Sequence, residues 1–297
     1  MKLITFSTGG KSRFGAIVNN VVIDLNAASG GELPVRIEEF FDEIKALQPK
    51  LNSLIASLGA TPTPGAAALK LDQVKLLPPI TRPPKIICVA RNYAEHAKEA
   101  GLEISPIPIM FARFAKTFVA DGDPVLVPAV SDNLDWEGEL AVIVGKATNG
   151  KRITKEEAMD YVFGYSIFND VTVRDYQFRV TQYTAGKNFR ASGPFGPYIV
   201  TKDEIANPHK LDITTKLNGK VEQHANTDTM IYDIPTILES IAEFIDLEPG
   251  DVIPTGTPAG VGFKRKPPLF LKEGDTISVE VTGLGVLTNP VKNEVQG

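Results

Sequence analysis

The sequence predicts a β-rich α+β fold, a small α+β N-terminal domain followed by a larger strand-rich domain. Three observations carry that expectation. Short runs rich in Val and Ile recur along the chain and are closed by Gly, Pro or Asn, as strands are. Helical spacing is confined to a few short stretches. Two segments rich in Pro, 59–68 and 78–84, separate the first part from the rest, which places the domains at 1–75 and 85–297 with 76–84 as a linker.

Taken in order, Phe14-Gly15-Ala16-Ile17-Val18 and Val21-Val22-Ile23-Asp24-Leu25 flank Asn19-Asn20 and read as a hairpin, because Asn tolerates the positive φ of a tight turn. Gly10-Lys11-Ser12 is no phosphate-binding loop, since the first glycine of that motif would fall on Thr5. Over 36–58 the apolar residues Ile37, Phe40, Phe41, Ile44, Leu47 and Leu51 follow helical spacing, with a break expected at Pro49. Lys85-Ile86-Ile87-Cys88-Val89-Ala90 reads as a strand running into Arg91-Asn92-Tyr93. Asn92 is placed to cap a short helix, Glu95 completes a capping-box pattern, and Gly101 ends it. His96 and Glu99 then share one helix face, where a carboxylate can orient an imidazole as a general base. A surface His–Glu pair fits the same spacing.

The centre of the chain is Trp136-Glu137-Gly138-Glu139, which heads the apolar run Leu140-Ala141-Val142-Ile143-Val144 closed by Gly145. On a strand, residues two apart project to one face, so Glu137 and Glu139 stand together. Asp170 follows a second aromatic, strand-like run that begins at Gly164. Three carboxylates from two strands make an oxygen-only set suited to Mg²⁺ or Mn²⁺. A half-exposed strand with acidic outward positions also fits. Thr154 caps a helix through Tyr161, Asn218-Gly219 marks a second hairpin, and 235–244 is helical. The glycines of 255–262 do not match a dinucleotide fingerprint, but such a loop can offer N–H groups and hydroxyls to a carboxylate. Strands over 276–281 and 285–291 close the chain.

Composition narrows the function classes. With 297 residues there is room for one large domain or two ordinary ones. A net charge of −5 and the absence of any long Lys/Arg block argue against nucleic-acid binding. The densest basic cluster, Lys264-Arg265-Lys266, reads as a solvated loop. The one cysteine, Cys88, excludes an internal disulfide and sits among Ile and Val as a buried structural thiol would, which fits a cytoplasmic location. No signal peptide is expected, and no apolar stretch reaches membrane-spanning length.

The segments Cys88-Val89-Ala90-Arg91-Asn92-Tyr93 with His96 and Glu99, 135–145, 164–177, Gly186-Lys187-Asn188-Phe189, 193–197, Asn218-Gly219, 250–262 and Gly274-Asp275 resemble, in that order, the fumarylacetoacetate hydrolase family. The likeness is strongest to its acylpyruvase and oxaloacetate decarboxylase-like members and covers about 85–290. The resemblance implies a mixed β-sandwich roll around a metal-lined cavity, and a homodimer. It implies Glu137, Glu139 and Asp170 as ligands of Mg²⁺ or Mn²⁺, and His96, Glu99 and Lys187 as catalytic groups. It also implies Arg91, Arg174, Gln177 and Thr257 as residues facing a 2-oxo acid substrate. One departure is Ala90, where the family motif has Gly; the added methyl narrows the backbone near Arg91. The reaction expected first is metal-dependent hydrolysis of a C–C bond in an acylpyruvate- or fumarylpyruvate-like 2-oxo acid. An oxaloacetate-type decarboxylase, a 2-oxo diacid isomerase or tautomerase, and a non-catalytic binding protein are the alternatives.

Overall fold

The structure is a computed structural model describing residues 1–58, 67–101 and 103–295. Most of the connector expected over 59–68 lies outside the described residues. A ten-stranded sheet runs in the order Val252–Pro254, Gly138–Val144, Val162–Asn169, Gly193–Thr201, Lys2–Thr8, Lys11–Val18, Val21–Asp24 and Ala68–Lys70, with two short strands pairing off this path. The N-terminal strands therefore extend the sheet of the larger part, through Lys2–Thr8 pairing antiparallel with Gly193–Thr201. A five-stranded sheet, from Lys220–Asn226 to Val125–Val127, forms the second layer. This is the β-rich α+β architecture expected.

The alternation of the central strand builds both cores. Leu140, Val142 and Val144 pack with Ile213, Val279 and the helix Ile234–Ala242 on one face. Ala141 and Ile143 pack on the other face with Phe163, Phe40, Phe41 and Leu47. Each fully buried Leu, Val, Ile or Phe among them stabilises by about 1.5–3 kcal/mol.

Both hairpins form as the turn chemistry dictates: Asn19 and Asn20 have φ of 46° and 64°, Asn218 and Gly219 of 53° and 81°. Pro49 does not break its helix. The break falls at Glu43, whose φ is −119°, and Pro49 sits inside Ile44–Ser57. The buried stripe of Ile44, Leu47 and Leu51 outweighs the missing N–H. Asn92 is not a cap either. Its amide donates to the Tyr232 and Thr255 carbonyls and accepts from the Tyr232 N–H, fastening the start of the His96 helix to two distant segments. That helix, Ala94–Ala100, ends at Gly101 (φ 70°) as expected. No described helix is long and apolar enough to cross a membrane.

Candidate active site

Strand register brings the acidic residues together. Gly138 pairs with Asn169, so Glu137 and Asp170 face each other just beyond the paired ends, joined by the Asp170 N–H donating to the Glu137 carbonyl at 2.8 Å. Glu139 lies one step into the strand on the side of Glu137. One carboxylate oxygen from each of the three lies within 4.8 Å of the others, and all three side chains are buried.

Three buried cations answer this charge. Lys187, at the end of the short helix Thr184–Lys187, donates to Glu137 Oε2 at 2.7 Å and to Asp170 Oδ2 at 2.5 Å. Arg174 reaches Glu137 Oε1 at 2.6 Å and Asp135 Oδ2 at 2.8 Å. Arg113 pairs with the other oxygen of Asp170 and donates to the Ser192 carbonyl and hydroxyl at 2.7 Å.

These surroundings drive the two glutamates apart. Burial raises Glu137, but Lys187, Arg174 and His96 outweigh it and hold its carboxyl below the ordinary range. Burial pushes Glu139 well above that range, reinforced by the charges of Asp170 and Glu137. For Lys187, burial lowers the ammonium, yet Asp170 and Glu137 more than restore it, so it stays charged.

Of the ten residues singled out from the sequence, nine line one cavity: His96, Arg91, Glu137, Glu139, Asp170, Arg174, Gln177, Lys187 and Thr257. Glu99 stands behind His96, with Oε2 at 3.7 Å from Nδ1, an ion-pair distance beyond hydrogen-bond reach. The candidates differ in how far they are free. Thr257 donates its hydroxyl proton to the Gly138 carbonyl and accepts from Gln223, and Gln177 accepts from Arg174. Arg91, half-buried with φ 58°, makes a hydrogen bond to the Tyr183 hydroxyl at 2.7 Å.

The 255–262 loop does donate N–H groups to carboxylates, but to the protein's own. Gly256 donates to Glu139 at 2.8 Å, Gly260 to Glu99 at 3.1 Å, and Gly262 to Asp135 at 2.7 Å. Gly256 has φ 102°, and a Cβ there would lie 2.7 Å from the Asn92 Cβ, so only glycine brings this N–H to Glu139.

Sequence reasoning missed Arg113, Asp135, Tyr183 and Phe263. An arginine inside the apolar run Ile109-Met110-Phe111-Ala112-Arg113-Phe114 was the available signal, since a guanidinium there needs a buried partner.

The donor set suits a hard divalent cation: three carboxylates and no nitrogen or sulfur. Glu139 supports it most directly, because Gly256 N–H is the one hydrogen-bond donor it has among the described contacts. A carboxylate so placed ionises readily only beside added positive charge.

Residues 85–292 match the family model described as the C-terminal domain of fumarylacetoacetate hydrolase. The chain belongs to the fumarylacetoacetate hydrolase family. It is 40% identical over 272 residues to the mitochondrial oxaloacetate tautomerase fahd2 of Xenopus laevis, covering 91% of this chain and 82% of that one. It is 42% identical over 231 residues to the oxaloacetate tautomerase YisK of Bacillus subtilis, covering 76% of each. Among solved structures, maleylpyruvate hydrolase from Sphingobium sp. SYK-6 in complex with manganese(II) and pyruvate superposes with a TM-score of 0.79. It is 28% identical over 99% of this chain and 100% of that one. This family member is an enzyme, and its acidic triad fits the divalent metal that such a relative binds.

Proposed function

We propose that this enzyme is a keto–enol tautomerase of a 2-oxo diacid, with oxaloacetate as the reference substrate. Likeness to oxaloacetate tautomerases along nine-tenths of the chain carries the reading. The chemistry of the cavity agrees with it. Keto and enol forms differ in the place of one proton, on C3 or on the 2-oxygen. His96, whose Nδ1 side faces Glu99, takes the C3 proton through its other ring nitrogen. The C–H electron pair moves into the C2–C3 bond and the carbonyl pair onto the 2-oxygen. Lys187, kept charged by Asp170 and Glu137, donates a hydrogen bond to the oxygen that becomes negative. That oxygen then takes a proton from solvent while His96 releases the C3 proton to solvent, which restores the neutral base. In the reverse direction the 2-oxygen gives up its proton and His96 delivers one to C3. When bound by Glu137, Glu139 and Asp170, Mg²⁺ or Mn²⁺ supplies Lewis-acid polarisation of the carbonyl.

Arg174 is committed to Asp135 and Glu137, so its part is to hold the acidic wall; Gln177 and Thr257 shape the same wall through their hydrogen bonds. Arg91 at the cavity edge is the cation proposed to read a substrate carboxylate. Every cavity residue comes from the proposed catalytic domain at 85–297, which leaves 1–75 as a supporting domain. A cytoplasmic homodimer completes the reading; sedimentation at micromolar protein showing only a 32.1 kDa species would exclude the dimer.

C–C hydrolysis of an acylpyruvate, the reaction expected first from the sequence, becomes the second reading. It is favoured by the likeness to a maleylpyruvate hydrolase. There His96 would deprotonate water instead of carbon. Following the loss of oxaloacetate enol absorbance, beside pyruvate release from an acylpyruvate, separates the two. Faster catalysis of the second reaction would overturn the first reading.

A further inference from the structure

Lys264-Arg265-Lys266 is not simply a solvated basic patch. The Arg265 guanidinium folds back onto the molecule: one of its nitrogens donates to the Glu222 carbonyl at 2.6 Å and to the Gly260 carbonyl at 3.2 Å, and lies 2.8 Å from Glu222 Oε2. The Glu222 side chain is 2% exposed, so this ion pair is anchored in the strand Lys220–Asn226 and shielded on that side from solvent. Trp136 also donates to the Gly260 carbonyl, through its indole N–H at 3.2 Å. Gly260 is thereby pinned, and no other residue fits there. Its φ is 103°, and a Cβ would lie 2.2 Å from the Glu222 carbonyl oxygen.

The opposite edge of that residue reaches the proposed dyad. The Gly260 N–H donates to both Glu99 oxygens, at 3.1 and 3.3 Å, and Glu99 is the group that faces His96 Nδ1. The Gly260 carbonyl and its N–H lie in two stiff peptide planes hinged at its Cα, and the Glu222 carbonyl packed against that Cα confines the hinge, so donors that hold the carbonyl also set the direction of the N–H. Burial raises Glu99, but His96, the Gly260 N–H and the charge of Arg265 together bring it below its ordinary range.

We infer that Arg265, locked to Glu222, is a positioning residue that fixes the Glu99 carboxylate through Gly260 and so sets the orientation of the His96 base. The inference rests on the His96–Glu99 reading of the site. It assigns Arg265 no contact with substrate; the guanidinium acts on chemistry only through Glu99.

A double-mutant cycle between Arg265→Met and Glu99→Gln, assayed by enol loss from oxaloacetate, tests this. Arg265→Met should lower kcat about tenfold, since small misplacements of a catalytic group cost rate steeply, while KM and Mn²⁺ affinity stay within about twofold. In the Glu99→Gln background, the same substitution should lower kcat by less than about threefold further, because the group it positions is already gone. A further loss of threefold or more, or an unchanged kcat in Arg265→Met alone, would overturn the inference. If Arg265→Met does not fold, Glu222→Gln takes its place in the cycle with the same thresholds, since it loosens Arg265 while leaving both backbone acceptors. Wild-type kcat in Glu99→Gln itself would instead remove the dyad reading, and this inference with it.

Discussion

Lys187→Met replaces a buried ammonium by an apolar chain of similar length, and its consequences follow from the contacts. Lys187 is 2% exposed, with Nζ at 2.7 Å from Glu137 and 2.5 Å from Asp170. Removing one partner of a buried ion pair costs about 3–5 kcal/mol, because the remaining charge has lost both water and counter-ion. Here Arg174 still holds Glu137 and Arg113 still holds Asp170, so the lower end, about 3 kcal/mol, applies. For a chain of this size that is a fall in Tm of about 6–12 °C. Thermal unfolding in the presence of a chelator measures it without help from a bound cation. Adding Mn²⁺ should recover part of the loss, by about 2.7 kcal/mol at a hundred times Kd, since the cation replaces the missing positive charge. The variant should still lose on the order of 10²–10³ in kcat, the usual share of an oxyanion-stabilising donor. A Tm within about 2 °C of wild type in chelator would refute a share for Lys187 in balancing this acidic cluster.

Glu139→Ala should leave a folded protein with Mn²⁺ affinity and activity both strongly reduced; calorimetric titration showing wild-type affinity would remove Glu139 from the metal site. Asp251, fully buried with one oxygen unpartnered, gives a pH dependence. Burial raises its carboxyl from 3.8 to about 6, against the lowering effects of the Glu248 N–H and Lys85. With the folded value above the unfolded one, its contribution is fully present below pH 3.8 and is lost as pH rises through about 6. Wild type should therefore lose up to about 3 kcal/mol relative to Asp251→Asn between acidic and neutral pH, read from denaturant midpoints. A pH-independent difference between the two proteins would contradict this.

What the sequence made legible is what short-range chemistry decides. Asn19-Asn20 and Asn218-Gly219 specify their hairpins because few residues accept positive φ. The run from Leu140 to Val144 specifies a strand, which the structure buries on both faces, and the two-residue period puts Glu137 and Glu139 together. What stayed hidden depends on partners far along the chain. Pro49 lies within a helix because Phe163 and Ile143 wait beneath its apolar stripe, over ninety residues away. Asn92 looked like a cap but is consumed by Tyr232 and Thr255. The joining of the N-terminal strands to the large sheet rests on Lys2 and Leu3 meeting Val200 and Ile199. Arg113 carries no motif, and its role becomes visible only once Asp170 and Ser192 are placed around it.

The central claim is that His96 moves a proton between carbon and solvent in a 2-oxo diacid. The most direct measurement is the rate of enol loss from oxaloacetate, catalysed by wild type and by His96→Ala at matched, saturating Mn²⁺. Wild type should greatly exceed the uncatalysed rate and His96→Ala should lose on the order of 10²–10⁴ in kcat, with Mn²⁺ affinity retained because His96 is not a proposed ligand. Enol loss by His96→Ala at the wild-type rate would contradict it.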